Sequence, residues 1–343
     1  MKQILNTLYV QTQGSYLRLD HDTLKVEVEK QQMFQIPLHH LGGITVFGNV
    51  LLSPFLIHRC AEDGRSLVWL SERGRFKARL AGSTTGNVLL RKAQHTAASD
   101  PQATLDIARY VVAGKLQNTR NVLLRAAREA KTEEDSNLLT KAAQIHGGSI
   151  RSAETVSDLD QLRGVEGYAA KAYFGAFTAM VRQNRDTFAF TERSRRPPKD
   201  PINALLSFVY TLLVGDCLAA CEGVGLDPQL GWLHAVRPGR PALALDLMEE
   251  LRAPIADRLV LTLINRAQLK PDDFVDRPGG AIYLTDEGRK TVLTAYQKRK
   301  QEEISHTIAG TKVPLGLVAH VQARLLARHL RGDVPTYQPF IPR

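Results

Sequence analysis

Glu166 occupies a position where a carboxylate needs a partner. The segment Ser157–Val181 has the periodicity of an amphipathic helix. Stepped at about 100° per residue from Glu166, the residues Leu159, Leu162, Ala169, Ala170, Tyr173, Phe177 and Met180 fall within about 60° of it. Asp160 and Lys171 fall on the opposite face, near Gly164 and Gly175. A carboxylate inside an apolar stripe costs several kcal/mol unless a cation pairs with it or binds there. Groups of metal-binding type lie downstream at His234, Asp246 and Glu249. One imidazole with several carboxylates from separate segments is the ligand set of a hard divalent cation, Mg²⁺ or Mn²⁺.

Each of these residues also has a plainer reading. Glu166 could pair with a buried Arg or Lys, or the helix could bury another face. Asp246 and Glu249 are three apart, so on a helix they project from one side and can converge on one ion. The same acids also suit the first turn of a helix, where the dipole favours negative charge. His234 follows Gly231-Trp232-Leu233, and a histidine beside tryptophan is commonly a hydrogen-bonded core or edge residue. The conjunction raises all of them: a helix-borne glutamate, a histidine and an acidic pair, with the basic loop Arg237-Pro238-Gly239-Arg240-Pro241 between, suited to phosphate.

Two unlike halves must position these groups. Up to about residue 85 the chain is β-rich: Thr7–Thr12, Ser15–Leu19, Leu24–Glu29, Phe34–Pro37, Ile44–Phe47, Ser66–Leu70 and Arg75–Leu80 have strand character, with turn residues between many of them. Ser53–Asp63 reads as a helix capped by Ser53, with Pro54 at its first position. From about Val88 the period becomes helical, over Asp100–Thr132, Glu134–His146, Ser157–Val181, Asp200–Gly223, Ala244–Arg266, Asp286–Ile308 and Pro314–Leu330. The small, polar stretch Ala81–Asn87 is the expected boundary. The fold class is therefore α+β, a small N-terminal β-rich domain (1–85) followed by a larger all-α domain (86–343). Val334–Arg343, rich in Pro and aromatic residues, reads as an extended or mobile tail.

The chain of 343 residues carries a net charge of +10, which points to a polyanion, nucleic acid before an anionic membrane. Arg324, Arg328 and Arg331 recur at i, i+4 and i+7, and Arg289, Lys290, Lys298, Arg299 and Lys300 precede them. Such stripes are solvated faces or contacts to a DNA backbone; we take Arg237, Arg240, Arg324 and Arg328 as the DNA candidates. Leu41-Gly42-Gly43 lacks the lysine and the strand–helix setting of a nucleotide loop, so no ATP-driven step is expected. The three cysteines, Cys60, Cys217 and Cys221, contain no CxxC pair and read as small buried hydrophobes. Met1–Asp20 has no basic-then-apolar leader, and the apolar run Ala204–Val214 is short for a bilayer. A cytoplasmic protein is expected.

Four strings add a family likeness. Gly164-Val165-Glu166-Gly167-Tyr168-Ala169-Ala170-Lys171-Ala172-Tyr173-Phe174 resembles the first signature of the CRISPR spacer-acquisition integrases, the DNA-cutting and DNA-joining subunit of the adaptation complex. Asp200-Pro201-Ile202-Asn203-Ala204-Leu205-Leu206-Ser207 is similar to the second. Gly231-Trp232-Leu233-His234 and Leu243-Ala244-Leu245-Asp246-Leu247-Met248-Glu249-Glu250 resemble the third and fourth. The compact form is closest to the stand-alone version of type I systems. The resemblance implies a metal-dependent endonuclease and integrase that inserts short duplexes into the CRISPR array by 3′-hydroxyl attack on a phosphodiester. It implies one divalent metal on Glu166, His234 and Glu249, with Asp246 a further acid at the site; which of Asp246 and Glu249 binds directly stays open. It also implies double-stranded DNA as substrate, a homodimer formed through the β domain, and two dimers bridged by a small ferredoxin-like partner into a heterohexamer. A neutral His234 ligand would make activity fall at acid pH. Two other readings remain: a structure-selective nuclease for branched DNA, and a non-catalytic DNA-binding scaffold. Metal dependence separates the scaffold from both enzymes, and a strand-transfer product separates the integrase from the nuclease.

Overall fold

β-branched runs punctuated by turn residues pair into two sheets in the first part of the chain. The computed structural model describes residues 6–82 and 88–342. The chain divides into two units, Met1–Thr85 and Gly86–Arg343. In the first, β1 (Thr7–Val10), β2 (Tyr16–Asp20), β3 (Thr23–Val28), β4 (Gln31–Pro37), β5 (Gly43–Phe47) and β6 (Leu51–Leu52) precede α1 (Pro54–Glu62), β7 (Ser66–Leu70) and β8 (Phe76–Arg79). One sheet has the order β1-β5-β7-β8 and the other β4-β3-β2-β6. β5 runs parallel to both β1 and β7, and all five of its residues are buried, as suits a central parallel strand. Ile44, Val46, Leu67, Leu17, Leu24 and Leu56 are central to the core of this unit. Ser53 caps α1 as expected, its side chain accepting from the Leu56 amide at 3.2 Å. Beyond Gly82, the expected boundary stretch lies outside the described residues.

The second unit is mostly helical, with two hairpins the periodicity did not foretell. Its elements are α2 (Val88–Ser99), α3 (Pro101–Arg128), α4 (Glu133–Thr155), α5 (Leu159–Gly175), α6 (Pro201–Val224) and α7 (Ala242–Leu251). A π-helical segment Arg252–Asp257 leads into α8 (Arg258–Asn265). β9 (Phe274–Arg277) and β10 (Ala281–Leu284) then form one hairpin. After α9 (Asp286–Gln301), β11 (Glu303–His306) and β12 (Thr311–Pro314) form the other, and α10 (Leu315–Leu330) closes the series. Asp100-Pro101 and Asp200-Pro201 start α3 and α6 in the same way. Each aspartate accepts from a backbone amide (Gln102 and Ala103; Asn203), and each proline takes the first helical position.

Four expected helices differ in extent. α4 runs on to Thr155 through Gly147-Gly148, a pair that looks like a helix stop but is tolerated at about 1 kcal/mol per glycine. The helix of Glu166 ends at Gly175, and Phe177–Met180 follows as a 3-10 turn. The helix expected over Ala244–Arg266 is widened into π geometry around Pro254, which has no amide hydrogen to donate. The helix expected to reach Ile308 ends at Gln301. By length and composition α6 could cross a membrane, yet over half of its most apolar window is buried inside the protein, where Cys217 and Cys221 are wholly covered.

The tail, expected to be extended or mobile, is docked through its described residues. Tyr337 and Phe340 are buried. Glu250 of α7 accepts from the Tyr337 hydroxyl at 2.5 Å and from the Phe340 amide at 2.6 Å. Asn118 of α3 donates to the carbonyls of both Glu250 and Phe340 at 2.7 Å. A Cβ on Gly114 would stand 2.5 Å from Pro339 Cβ, so only glycine lets the tail lie against α3 here.

His146 of α4 is 1% exposed and donates Nδ1–H to the Ala142 carbonyl at 2.8 Å. Burial lowers its pKa below the usual 6.5. The unfolded chain then takes up a proton before the folded one does, so this histidine's stability contribution is full above pH 6.5 and shrinks below it. The urea-midpoint deficit of His146→Gln relative to the parent is expected to narrow from pH 8 to pH 5.5.

Candidate active site

Asp246, on α7 and 1% exposed, organises the loop that carries His234. Its Oδ2 accepts from the Trp232 and Leu233 amides at 2.6 and 3.0 Å. Its Oδ1 accepts from the His234 amide at 3.0 Å and from ring Nδ1 at 2.7 Å. Gly231 allows this approach: a Cβ there would lie 2.5 Å from Asp246 Oδ2 and 2.7 Å from the Ala242 carbonyl carbon. Arg163 of α5 grips the same loop, donating Nε and Nη2 to the Leu233 carbonyl at 2.9 and 2.8 Å. Gln94 of α2, fully buried, donates to the Asp227 and Leu230 carbonyls and accepts from the Asp227 amide, each at 2.8 Å.

With Nδ1–H committed to Asp246, the lone pair of a neutral His234 lies on Nε2. That atom faces Glu249 Oε1 at 3.6 Å. Glu249 is 3% exposed. Its Oε1 is 3.0 Å from Arg252 Nη2, and its Oε2 is 2.7 Å from Lys115 Nζ of α3. Oε2 has no hydrogen bond of good angle, so the Lys115 contact is an ion pair rather than a directed bond. Lys115 also donates to Glu166 Oε1. Burial alone would push the Glu249 carboxyl up, but Arg252 and Lys115 outweigh it and hold the carboxyl at about 2. Glu249 is therefore anionic at neutral pH.

Glu166, His234, Asp246 and Glu249 are thus brought together from α5, a loop and α7. Among the described residues, no three His, Cys, Asp or Glu side chains grip one point closely enough to hold an ion as they stand. Lys115 lies between Glu166 and Glu249, and Arg252 covers one oxygen of Glu249. The plainer expectation for Glu166, a pairing with a basic residue, is met by Lys115. The donor set nevertheless fits a hard divalent cation. A nitrogen lone pair and two carboxylates face one region, and a further carboxylate behind the imidazole fixes its tautomer. Both oxygens of Asp246 are spent on the loop.

The chain matches the family model described as CRISPR associated protein Cas1 over residues 8–298. It belongs to the Cas1 family. All four strings that carried the resemblance lie inside the matched span. The chain is 57% identical over 343 residues to a CRISPR-associated endonuclease Cas1 of Moorella thermoacetica, covering 100% of both chains. A casposase bound to integration product shares the fold with a TM-score of 0.84 at 22% identity, covering 97% of this chain and 92% of that one. A chain of a Cas6-RT-Cas1–Cas2 complex does so with a TM-score of 0.80 at 23% identity, covering 97% of this chain and 36% of that one.

Sequence reasoning missed the basic residues of this Cas1 site. Lys115 had a readable signal, a lysine in register with the apolar Val111 and Val112 of α3, both of which are buried. Arg252 follows Glu249 by three residues, the spacing of a helical ion pair. Its guanidinium lies 5.0 Å from the Tyr210 ring centre. Beneath it the buried Asp257 accepts from the Tyr173 and Tyr210 hydroxyls at 2.8 and 2.6 Å. Arg163 and Gln94 act on backbone carbonyls and gave no pattern. Of the DNA candidates, Arg237, Arg324 and Arg328 are exposed, and Arg240 is half-buried. Arg331 pairs with Asp333 at 2.6 Å. The stripe expected on α9 is largely structural. Arg289 and Lys300 are buried, the latter 2.9 Å from Asp216, and Arg299 pairs with Glu302. Only Lys290 and Lys298 of the five are exposed.

Asp246→Asn would turn an amide group toward backbone donors that need acceptors. Stability is expected to fall by about 2–3 kcal/mol in urea unfolding, the cost of leaving buried donors unpaired.

Proposed function

We propose that this CRISPR-associated endonuclease of the Cas1 family cuts and joins DNA phosphodiesters at Glu166, His234 and Glu249, with Mg²⁺ or Mn²⁺ held by those three side chains. The observation that carries the reading is the meeting of two carboxylates from separate helices with the free Nε2 of an imidazole already oriented by Asp246. A divalent ion bound there supplies Lewis-acid stabilisation of the charge that builds on the phosphate oxygens during in-line displacement. Water as nucleophile gives a nick, and a 3′-hydroxyl gives strand transfer. Joining conserves the number of phosphodiesters and needs no ATP. Asp246 keeps the His234 proton on Nδ1, so Nε2 stays a donor atom of fixed direction. Arg252 keeps Glu249 ionised and limits where its carboxylate can swing.

The substrate in this reading is double-stranded DNA in the cytoplasm, with Arg237, Arg240, Arg324 and Arg328 meeting phosphates. A homodimer formed through the β unit is supported by apolar side chains left in the open there, with Met33 67%, Leu51 62% and Phe55 75% exposed. β4, an edge strand, carries Met33 and Phe34. Two such dimers bridged by a small ferredoxin-like partner complete the assembly implied by the family.

The test is a supercoiled plasmid carrying a CRISPR repeat, incubated with short duplexes bearing free 3′ ends, in Mn²⁺ or EDTA. Metal-dependent joining is expected from the parent chain, with Glu166→Ala slower by at least about 10³-fold, the loss of several kcal/mol of transition-state stabilisation. Equal joining by Glu166→Ala would make Glu166 a structural acid and defeat the reading. Cutting without joining would leave the nuclease reading alone. For Arg324→Ala/Arg328→Ala, the slope of log affinity against log salt is expected to flatten by about 1.8, two phosphate contacts on duplex DNA. An unchanged slope would take α10 off the DNA path.

A further inference from the structure

Lys115 is the one cation that touches both glutamates of the site among the described residues. Its ammonium donates to Glu166 Oε1 and lies 2.7 Å from Glu249 Oε2. The Lys115 side chain is 15% exposed, against 2% for that of Glu249. Oε2 of Glu249 has no hydrogen-bond partner, and the other oxygen of the same carboxylate, Oε1, faces Nε2 of His234 at 3.6 Å. An ion that takes oxygens from both glutamates at bonding distance, about 2.0–2.2 Å for Mg²⁺ or Mn²⁺, needs the space the ammonium fills. The two cations compete for the same oxygens.

We infer that Lys115 is an internal counter-cation, holding the Glu166 and Glu249 carboxylates together in the metal-free protein and yielding its place when a divalent ion binds. The inference rests on the metal site proposed above and adds to it the residue that sets how tightly the site takes metal. Without Lys115, two carboxylates would converge with one of them buried, and Arg252 would be left as the close cationic partner of Glu249. A lysine suits the task. Its single charged atom on a flexible stem can withdraw, and its partial exposure gives the freed ammonium water to enter. Arginine in its place would engage both carboxylates through a rigid fork and give way less readily.

The inference is tested on the full chain with Mn²⁺ as the probe, its binding followed by the electron paramagnetic resonance of the free ion and its effect on melting by scanning fluorimetry. Lys115→Met is expected to melt lower than the parent in EDTA, to recover most of that loss in Mn²⁺, and to bind Mn²⁺ at least about tenfold more tightly. Lys115→Arg, which keeps the charge and the fold if methionine does not, is expected to bind Mn²⁺ several-fold more weakly. Lys115→Met binding Mn²⁺ no more tightly, or Lys115→Arg binding it as the parent does, would overturn the inference. Glu166→Gln separates the two levels. If the parent binds Mn²⁺ and Glu166→Gln does not weaken it, the metal site itself is wrong and the inference falls with it. If Glu166→Gln weakens binding but the Lys115 variants do not shift it, the site stands and the counter-cation role is wrong.

Discussion

The carboxylate of Asp246 is the contact on which the rest of the site depends. It accepts three consecutive backbone amides and the ring of His234, and in doing so fixes a loop that has no regular structure of its own. A buried aspartate with four donors has no stable alternative orientation, because turning away would orphan the donors and the acid together. The loop is then held from outside by Arg163 and Gln94. The imidazole is delivered with Nδ1 on Asp246 and Nε2 toward Glu249.

The buried acids Glu249, Asp257 and Glu250 each find partners on other elements. Glu249 on α7 meets Lys115 of α3 and Arg252 of the π segment. Asp257 meets the hydroxyls of Tyr173 on α5 and Tyr210 on α6. Glu250, next in chain to Glu249, receives the tail. These links tie the helices that carry the site to one another through polar contacts, where apolar packing alone would leave them free to slide in register. They also hold the tail in place: the Tyr337 hydroxyl and the Phe340 amide join Gln322 of α10 in donating to the buried Glu250 carboxylate.

The basic surface divides along the same line. Lysines and arginines on α9 that looked like a DNA-facing stripe mostly close ion pairs or cover carbonyls, whereas Arg324 and Arg328 on α10 stand exposed, with no ion-pair partner among the described residues. Spacing along a helix says which residues share a face. It does not say whether that face meets water or a neighbouring helix.

What the sequence by itself determined was the class of fold and a set of candidate groups for chemistry. Glu166 stood out because a carboxylate in an apolar stripe is costly, and the α+β division, the capped start of α1 and the burial of the cysteines follow from local periodicity and capping chemistry, which act within a turn or two of helix. Only the tertiary structure decided which groups meet. The pairing of Lys115 with Glu166 joins residues 51 positions apart, and that of Asn118 with the tail joins residues 222 apart. Neither separation leaves a trace in a helical period. The π segment at Pro254 and the two hairpins in the helical unit are local features, one at a proline and the others across short turns, and a reading by helical period alone passes over them. The direct role of Glu249 beside the orienting role of Asp246 could be proposed only once the four donors on Asp246 were visible, because three residues of spacing place both acids on one side of a helix and say nothing of what each one faces.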